Sequence, residues 1–593
     1  MNDGFTTRLR SDPLVAAAIF CLTLAIFLSS HVHQVSDSNY SMLLSESLLR
    51  YRTFTLDHFA LPRHEPRWTD YYFANGPIYQ IQVVNGHLYY YLPPGSSILS
   101  LPFVAAMNAI GISASNPDGT YNPKGEISIE ASLAALLMSS LVVIFFYSAR
   151  LTLPLSWSIA VAVIASLGTQ IFSTASRALW SETWGVLLLG IAIYLILATE
   201  LKQHAMRPTI LATLLAWSYF ARPTFAIAVV GITFYVLMFQ KKSFFRYAAT
   251  GFVWFVLFVA YSWYHFHDLL PTYYRASRLD FSSFWTALAG NLMSPGRGLL
   301  VFVPGCLVVV YLLVKHRRSI RLLRLVAISA AVIGAHMIVI SAFPHWWGGH
   351  SFGPRFSTGL VPWFVLLAIL AVDGKLRAPR VTQWLRFLEC AVATCLLAAS
   401  LLINTAGATE RATWNWNLRP ASIDEHPERL WDWRQPQFMA KFLPFPAPHE
   451  FPDLPKVRVD FSHGDGQNYL WYGWSRDDAN DIWADNDAAF IFSADETEDI
   501  SLQLSISAFV VPGRLTTQPL AISFNDQPLT HVELDTSLPR EIVLRLPATR
   551  VKGKNVLHFL MPSAQSSQML GIGEDPRLRS FKLLWVQLVN STR

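Results

Sequence analysis

The chain has 593 residues and a mass of 66.7 kDa, which is too long for one ordinary domain. Hydrophobic residues make up 52% of it and charged residues only 15%, against roughly 25% charged residues in soluble globular proteins. This composition excludes a disordered chain, a coiled coil and a simple soluble enzyme. The formal charge of +6 is distributed in short clusters between apolar runs, which is typical of membrane loops and not of a nucleic-acid-binding face.

Apolar runs long enough to form transmembrane helices recur along the first 405 residues. Crossing the hydrocarbon core takes about 20 residues in helical conformation. On this basis we predict eleven spans, near residues 13–30, 129–149, 155–175, 182–199, 208–220, 223–239, 244–266, 298–314, 322–342, 356–373 and 384–405. We expect the first span to be retained, because no small-residue cleavage site follows it. A further run, 96–112, is short and is predicted to lie on the membrane surface as an interfacial helix.

The basic residues indicate how the spans are oriented. With eleven spans and a cytoplasmic N-terminus, alternate loops are rich in arginine and lysine, as cytoplasmic loops are. The loop over 315–324, with one lysine and four arginines, is the clearest case. If 96–112 crossed the membrane, the later basic loops would fall outside. Three large elements are therefore predicted on the outer face: residues 31–95, residues 266–297 and the chain beyond 405.

The chain beyond residue 405 falls into two parts. Residues 406–454 are rich in Trp, Pro and Arg and are predicted to form a linker along the headgroup layer. Over 455–593, short runs of alternating apolar and polar residues, such as 500–506 and 581–588, are separated by Asn, Asp, Pro and Gly. This pattern predicts a jelly-roll-like β-sandwich. The predicted fold class is thus a polytopic α-helical membrane domain over 1–405, followed by a soluble all-β domain.

Two acidic residues lie where spans reach the predicted outer face. Asp37 follows the first span in Ser-Asp-Ser, just before an amphipathic helix. Such a carboxylate can take a proton from an acceptor hydroxyl as a general base, or it can cap the helix that follows. Glu182 begins the fourth span, where it can share a site with Asp37 or simply complement the helix dipole. Together the two carboxylates have the chemistry to hold a divalent cation such as Mg²⁺ or Mn²⁺.

Three arginines are predicted at the same face. Arg222 lies between two short apolar runs, where it can bind a phosphate or snorkel to the surface. Arg297 and Arg355 lie in glycine-rich segments before the eighth and tenth spans, and glycine lets the backbone approach a ligand closely. Arginine can bind phosphate through two parallel hydrogen bonds. All three are therefore candidate phosphate ligands.

Histidine and aromatic residues accompany the third arginine. His345 and His350 are predicted to assist in binding the phosphate of a donor. Trp346 and Trp347 have the geometry either of an interfacial aromatic belt or of a platform on which a sugar stacks. Together with Tyr91 they are the predicted acceptor-binding and sugar-stacking residues.

Residues 10–405 resemble the GT-C superfamily of membrane glycosyltransferases. The segments that resemble it are V-S-D-S-N-Y-S-M-L-L-S-E-S-L-L, Y-Y-Y-L-P-P-G-S-S-I-L-S-L-P-F, A-R-P-T, S-P-G-R-G-L-L-V-F-V-P and W-W-G-G-H-S-F-G-P-R-F. Their order and their common placement on one face make the resemblance specific. The protein O-mannosyltransferases and the lipid A aminoarabinose transferases belong to the same broad class, and the trailing β domain is similar to outer domains appended to such proteins.

The resemblance implies an inverting glycosyltransferase of a bacterial inner membrane, with a cytoplasmic N-terminus and a periplasmic β domain. The donor would be a polyprenyl-phosphate-linked sugar that enters from the membrane lipids, and the acceptor a hydroxyl of a glycan, lipid or protein. Asp37 matches the acid of the first loop that serves as base, and Glu182 the acid of the second outer loop. Many relatives carry two adjacent acids in the first loop, whereas Ser38 follows Asp37 here, so the resemblance does not decide whether the reaction depends on a divalent cation.

Two other classes of function fit the same pattern. A lipid or glycan transporter or flippase fits the Arg-Pro interruption between 208–220 and 223–239, because broken helices often mark transport sites. Acids are nearly absent from the middle of the spans and no repeat relates two halves of the chain, which favours the enzyme. A non-catalytic GT-C relative that binds lipid-linked glycan is the second alternative, and an assay is needed to distinguish it from the enzyme.

Overall fold

A computed structural model describes residues 3–61, 80–379, 383–418, 422–424, 426–443, 451–453, 457–461, 466–476, 481–494, 499–567, 569–570, 572 and 577–589. Residues 62–79 of the predicted first outer loop, and parts of the predicted linker and β domain, lie outside these ranges. In chain order the α-helices are α1 Asp3–Ser29, α2 Ser41–Arg50, α3 Gly95–Leu99, α4 Leu101–Ala109, α5 Pro123–Arg150, α6 Leu155–Leu167, α7 Ser181–Glu200, α8 Pro208–Ala221, α9 Ala226–Phe239, α10 Lys241–Phe266, α11 Phe284–Met293, α12 Leu299–Phe302, α13 Gly305–Lys315, α14 Leu323–Ser341, α15 Val361–Arg377, α16 Gln383–Thr409 and α17 Arg411–Asn415.

Seven helices of the described chain are long and apolar enough to cross a membrane: α1, α5, α7, α10, α14, α15 and α16. Four shorter apolar helices, α6, α8, α9 and α13, lie at the positions of the other predicted spans. The prediction of a polytopic helical membrane protein is therefore confirmed. The count of eleven spans stays a prediction, because these four helices have fewer than 18 residues.

The helices differ in how much of their surface the protein itself covers. In their most apolar stretches α5, α7 and α15 are 67%, 72% and 83% buried, whereas α10 and α16 are each only 11% buried. The exposed side chains of α10 include Phe252, Phe255 and Trp263. Large apolar side chains left uncovered on a long helix are typical of a surface that faces lipid. Helices α5, α7 and α15 thus form the centre of the bundle, and α10 and α16 lie at its periphery.

The segments between spans form small elements of their own. After α2 comes a two-stranded antiparallel hairpin, β1 Ile81–Val84 and β2 His87–Tyr90. Asn85 and Gly86 join its strands with φ of 51° and 82°, as a two-residue type I′ turn requires. The predicted interfacial helix over 96–112 is two helices, α3 and α4, that meet at Ser100. The predicted loop over 266–297 contains α11.

The remaining strands form one antiparallel sheet. They are β3 Val459–Asp460, β4 Leu470–Arg476, β5 Ile482–Phe492, β6 Ile500–Ala508, β7 Gln518–Phe524, β8 Gln527–Leu534, β9 Arg540–Leu546, β10 Asn555–Leu560 and β11 Phe581–Val589. Hydrogen bonds connect them in the order β8-β7-β10-β5-β11-β6-β9, with β4 beside β5 and β3 beside β11. The prediction of short antiparallel strands is confirmed. The division into the two sheets of a sandwich stays a prediction, because the pairing runs through all nine strands.

The chain forms two compact units, while the predicted domain bounds stay a prediction. One unit comprises residues 1–417 and 423–443, and the other residues 418–422 and 444–593. Much of the predicted linker over 406–454 thus belongs to the helical unit. The reason is packing: Trp416, Ile423 and Leu430 are buried there in one apolar cluster. The sequence pattern placed this segment in the headgroup layer, but tryptophan, leucine and isoleucine are equally common in the core of a protein.

Candidate functional site

Asp37 lies in the turn between α1 and α2, and α2 has another acceptor at its N-terminus. The backbone N–H groups of Met42 and Tyr40 donate to the Glu126 carboxylate over 2.7 and 2.9 Å. The residue before the helix, Tyr40, has φ of 70° and no capping side chain. Glu126 therefore caps α2, the role that one interpretation of the sequence assigned to Asp37. The Asp37 carboxylate pairs with Arg355 instead.

The structure brings four of the predicted site residues into one ion-pair cluster, which we call the site cluster: Asp37, Glu182, Arg222 and Arg355. Arg355 pairs with Asp37 through Nη2 and with Glu182 through Nε, the latter over 3.2 Å. Arg222 pairs with Glu182 over 2.6 Å. The two arginines balance the two carboxylates, so charges that would be costly to bury singly are paired.

Local structure explains why these residues point inward. Glu182 is in the first turn of α7, which begins at Ser181. Arg222 ends α8, because Pro223 follows it and a proline cannot continue the helix. Arg355 follows Pro354 at the start of a 3₁₀ helix, Arg355–Leu360. Each side chain therefore comes from the end of a helical element, where backbone direction changes.

Aromatic rings enclose the arginines of the site cluster. The Arg355 guanidinium lies 3.7 Å from the ring centre of Trp180, and the Phe356 ring lies 5.2 Å from the guanidinium of Arg222. Glu182, Arg222 and Arg355 are buried, whereas the Asp37 side chain retains 22% of its exposure. Of the four, Asp37 is thus the member that a ligand meets first.

A further arginine at the site was missed by sequence analysis. The Arg278 guanidinium lies 4.1 Å from the ring centre of Tyr273 and donates from Nη1 to the Tyr273 carbonyl over 3.2 Å. Burial disfavours its charge, but the surrounding Tyr273, Tyr91 and Asp37 raise its pKa. Arg278 is therefore a cation near Asp37. It follows no glycine motif and no apolar run, so the sequence contains no signal that singles it out.

Arg297 donates its described hydrogen bonds to partners outside the site cluster. Its three nitrogens donate to Gln437, Asn417 and the carbonyls of residues 296, 347 and 349. Burial lowers the pKa of this guanidinium to about 9. Because its donors are used within the fold, we do not carry the prediction of Arg297 as a phosphate ligand into the proposed function.

The histidines and tryptophans that precede Arg355 contact other side chains of the protein. Trp346 and Trp347 are buried in the cluster with Trp416, and Trp347 Nε1 donates to Asp424 over 2.7 Å. Neither indole presents an open face, so a sugar-stacking platform does not fit them. His350 lies 3.4 Å from Asp424, and His345 packs edge-on against Trp347. Burial, which sequence cannot show, decides against the two tryptophans as a stacking platform. His345 is exposed and His350 is half-buried, so their part in binding a donor stays a prediction.

Tyr91 lies beside the site. The Tyr91 ring packs edge-on against Tyr273, which itself stacks on Arg278.

No divalent cation fits between the carboxylates of Asp37 and Glu182 as they stand. Arg355 bridges the two acids, so a guanidinium occupies the place that a divalent cation would need. In the described part of the chain no group of three or more His, Cys, Asp or Glu residues has the arrangement of a metal site. We therefore derive no step through a metal.

Two further acids were missed by sequence analysis, and the sequence did contain a signal for them. Glu126 and Glu130 are fully buried at the start of α5, next to the Asp37 loop. They flank the first residue of the predicted span 129–149, where acids are rare unless they are used. Their position at the start of a predicted span is therefore a signal of a functional or structural role that the sequence itself contains.

Comparisons with known proteins find only limited structural similarity. ArnT from Cupriavidus metallidurans, solved bound to undecaprenyl phosphate, aligns over 74% of this chain and 76% of its own, with 12% identity and a TM-score of 0.37. A family GH115 4-O-methyl-α-glucuronidase with specificity for decorated arabinogalactans aligns over 45% of this chain and 33% of its own, with 14% identity and a TM-score of 0.15. No protein-family profile and no curated protein matches the chain by sequence. At these TM-scores function has to be argued from the residues of the site.

Proposed function

We propose that the chain is a membrane glycosyltransferase that moves a sugar from a polyprenyl-phosphate donor to an acceptor hydroxyl on the periplasmic face, with inversion at the anomeric carbon. The observation that supports this proposal is the convergence of Asp37, Glu182, Arg222 and Arg355, from four separate segments of a helical membrane unit. One partly exposed carboxylate beside buried arginines combines a base with a site for a phosphate.

In this proposal Asp37 is the general base. The acceptor oxygen attacks the anomeric carbon from the side opposite the phosphate, and its proton passes to the Asp37 carboxylate. The bond between the anomeric carbon and the phosphate oxygen breaks, and its electron pair stays on the phosphate. Arg355, which pairs with Asp37, and Arg278, whose charge interacts with that of Asp37, stabilise the charge that develops on the leaving phosphate. Glu182 and Arg222 hold Arg355 in place.

The proposal is tested with the purified chain in lipid vesicles that contain polyprenyl-phosphate sugars with a radiolabelled sugar. We expect the label to leave the lipid for an acceptor hydroxyl in the presence of the wild type. Asp37→Asn keeps the size of the side chain but removes its basicity, and it should lower the rate by about 10² to 10³-fold. Wild-type-like transfer by this variant would exclude Asp37 as the base.

Asp57→Asn is the matched control for this experiment. Asp57 lies in the same connection between spans, is 32% exposed and pairs with His87 over 2.7 Å. It is not part of the site cluster, so its loss should leave the transfer rate within a factor of about two. Specific binding of the labelled lipid without any transfer by the wild type would favour the non-catalytic alternative. Movement of the intact lipid between leaflets would favour a flippase.

A further inference from the structure

Two buried carboxylates in the first turns of α5 contact the loops that carry the site cluster. Glu126 and Glu130 are four residues apart and therefore lie on the same face of the helix. Both side chains are fully buried. The hydrogen bonds described for them come from hydroxyl and N–H groups rather than from cations. A buried carboxylate is costly unless donors satisfy it, so this pair requires an explanation that the proposed reaction does not supply.

Glu130 contacts both loops that build the site cluster. Its Oε2 accepts from Ser38 Oγ over 2.7 Å and from the Leu179 backbone N–H over 3.3 Å. Its Oε1 accepts from Ser41 Oγ over 3.3 Å. Ser38 follows Asp37 directly, and Leu179 precedes Trp180, whose ring stacks on Arg355. One carboxylate group thus connects the loop of the proposed base to the loop that covers its arginine partner.

Glu126 makes a different set of contacts. Its two oxygens accept from the N–H groups of Tyr40 and Met42. Both donors belong to the start of α2, so Glu126 holds the Asp37 side of the site. Contacts to both sides are described for Glu130. The two acids are therefore a natural pair for comparison, since they share helix, burial and chemistry.

We infer that Glu130 is a positioning residue that sets the distance between Asp37 and Arg355 by fixing both loops to α5. This inference rests on the proposed function for its effect on catalysis. A carboxylate has two acceptor oxygens, and Glu130 uses both. Glutamine has the same shape but offers one acceptor, and its NH₂ group faces donors where the second oxygen was. Glu130→Gln therefore loosens the connection without emptying the space.

The kinetic test compares the full-length wild type with Glu130→Gln in the vesicle assay. A displaced base lowers the rate of the chemical step but leaves the donor site intact. We expect kcat to fall by about 10- to 100-fold, because small misplacements of reacting groups have effects of this size. The KM for the lipid donor should stay within a factor of about two. A wild-type kcat in Glu130→Gln would overturn the inference while leaving the glycosyltransferase proposal standing.

Glu46→Gln controls for the general effect of disturbing a buried acid. Glu46 is fully buried in α2, accepts from Ser113 Oγ, the Ala114 N–H and Ser115 Oγ, and pairs with Arg50 of the same helix over 3.2 Å. The described hydrogen bonds of Glu46 lead away from the Asp37 loop and from α7. We expect this variant to lower the unfolding temperature much as Glu130→Gln does, with kcat within about twofold of the wild type. An equal loss of kcat in both variants would show that lost stability, not positioning, explains the effect.

Amide hydrogen exchange tests the connection without relying on transfer activity. Glu130→Gln should speed exchange in peptides that cover 38–42 and in those that cover 178–181. Glu126→Gln should speed it only in the first of these. If the wild type transfers no sugar, the proposed function fails, yet this exchange pattern still decides whether Glu130 couples the two loops. Unchanged exchange around residue 179 in Glu130→Gln would overturn the inference in either case.

Discussion

Arg355 uses its three nitrogens on three different partners. Nε donates to Glu182 and Nη1 to the Gly348 carbonyl, and both of these partners are buried. Nη2 pairs with Asp37, which is partly exposed. An anion that approaches the site can therefore replace only the Asp37 carboxylate. Such an exchange would move the charge of Asp37 away from Arg355 at the moment when a base is needed.

This arrangement predicts that Asp37→Asn binds polyprenyl phosphate more tightly than the wild type, although it transfers sugar about 10² to 10³-fold more slowly. The substitution removes the anion that competes for Arg355 Nη2. A hydrogen bond to a charged group is worth about 1.5–3 kcal/mol, so Kd should fall by about tenfold or more. Calorimetric titration of the purified protein with the lipid phosphate measures this. An unchanged Kd, or a weaker one, would contradict the exchange.

Arg278 and Arg297 show why residue type alone does not identify a site. Both are arginines in outer segments of the predicted map. Arg278 stacks on Tyr273 and has one described hydrogen bond, whereas Arg297 donates to five acceptors. The glycines around Arg297 favoured it as a ligand-binding residue, but its hydrogen bonds are made within the fold.

At the scale of elements, α7 carries a buried acid at each end. Glu182 pairs with Arg222 and Arg355 at its start, and Glu200 pairs with Arg324 at its end. The two acids are separated by 18 positions, which correspond to about 27 Å of helix, close to the thickness of the hydrocarbon core. The helix therefore separates two charged layers, and only the layer with Glu182 contains the proposed site.

Glu182→Gln and Glu200→Gln should separate stability from activity. Each substitution removes the charge of a buried acid and leaves its arginine partner unpaired. Removing one partner of a buried ion pair lowers the free energy of unfolding by about 3–5 kcal/mol. The loss should be smaller for Glu200→Gln, because Arg324 is 44% exposed and can turn to water. Transfer should fall more than about tenfold only in Glu182→Gln. Thermal unfolding and the vesicle assay measure the two effects, and an equal loss of transfer would contradict the assignment.

At the scale of the whole helical unit, some ion pairs lie at the opposite ends of the helices from the site cluster. Like Glu200 with Arg324, Asp373 pairs with Arg377, and it lies in the last turns of α15. Asp373 is far along that helix from Arg355, which precedes its start. The basic residues that predict cytoplasmic loops are thus partly paired with acids, and this end remains the predicted cytoplasmic one.

This orientation predicts the outcome of a fusion experiment in bacteria. Alkaline phosphatase folds only outside the cytoplasm, whereas green fluorescent protein exported unfolded through the membrane stays dark. A phosphatase attached after residue 593 should therefore be active, and the fluorescent protein at the same position should be dark. A fusion after residue 379 should give the opposite pair of results. Fluorescence from the fusion at 593 would invert the orientation and move the site cluster to the cytoplasmic face.

Hydropathy and alternation in the sequence determined the classes of structure. Long apolar stretches have to form helices in a membrane, because each helix satisfies its own backbone hydrogen bonds. Alternating stretches such as those that became β6 and β11 have to pair with neighbours to bury one face. Both properties depend on residues close together along the chain, so composition and periodicity sufficed to predict them.

Only the tertiary structure decided which polar residues meet. Asp37, Glu182, Arg222 and Arg355 are far apart along the chain, and their contact depends on how α1, α7, α8 and α15 pack. The burial of Trp346 and Trp347 and the contacts of Glu130 depend on packing in the same way. Packing is set by the sum of many contacts between distant segments, and no local pattern encodes that sum.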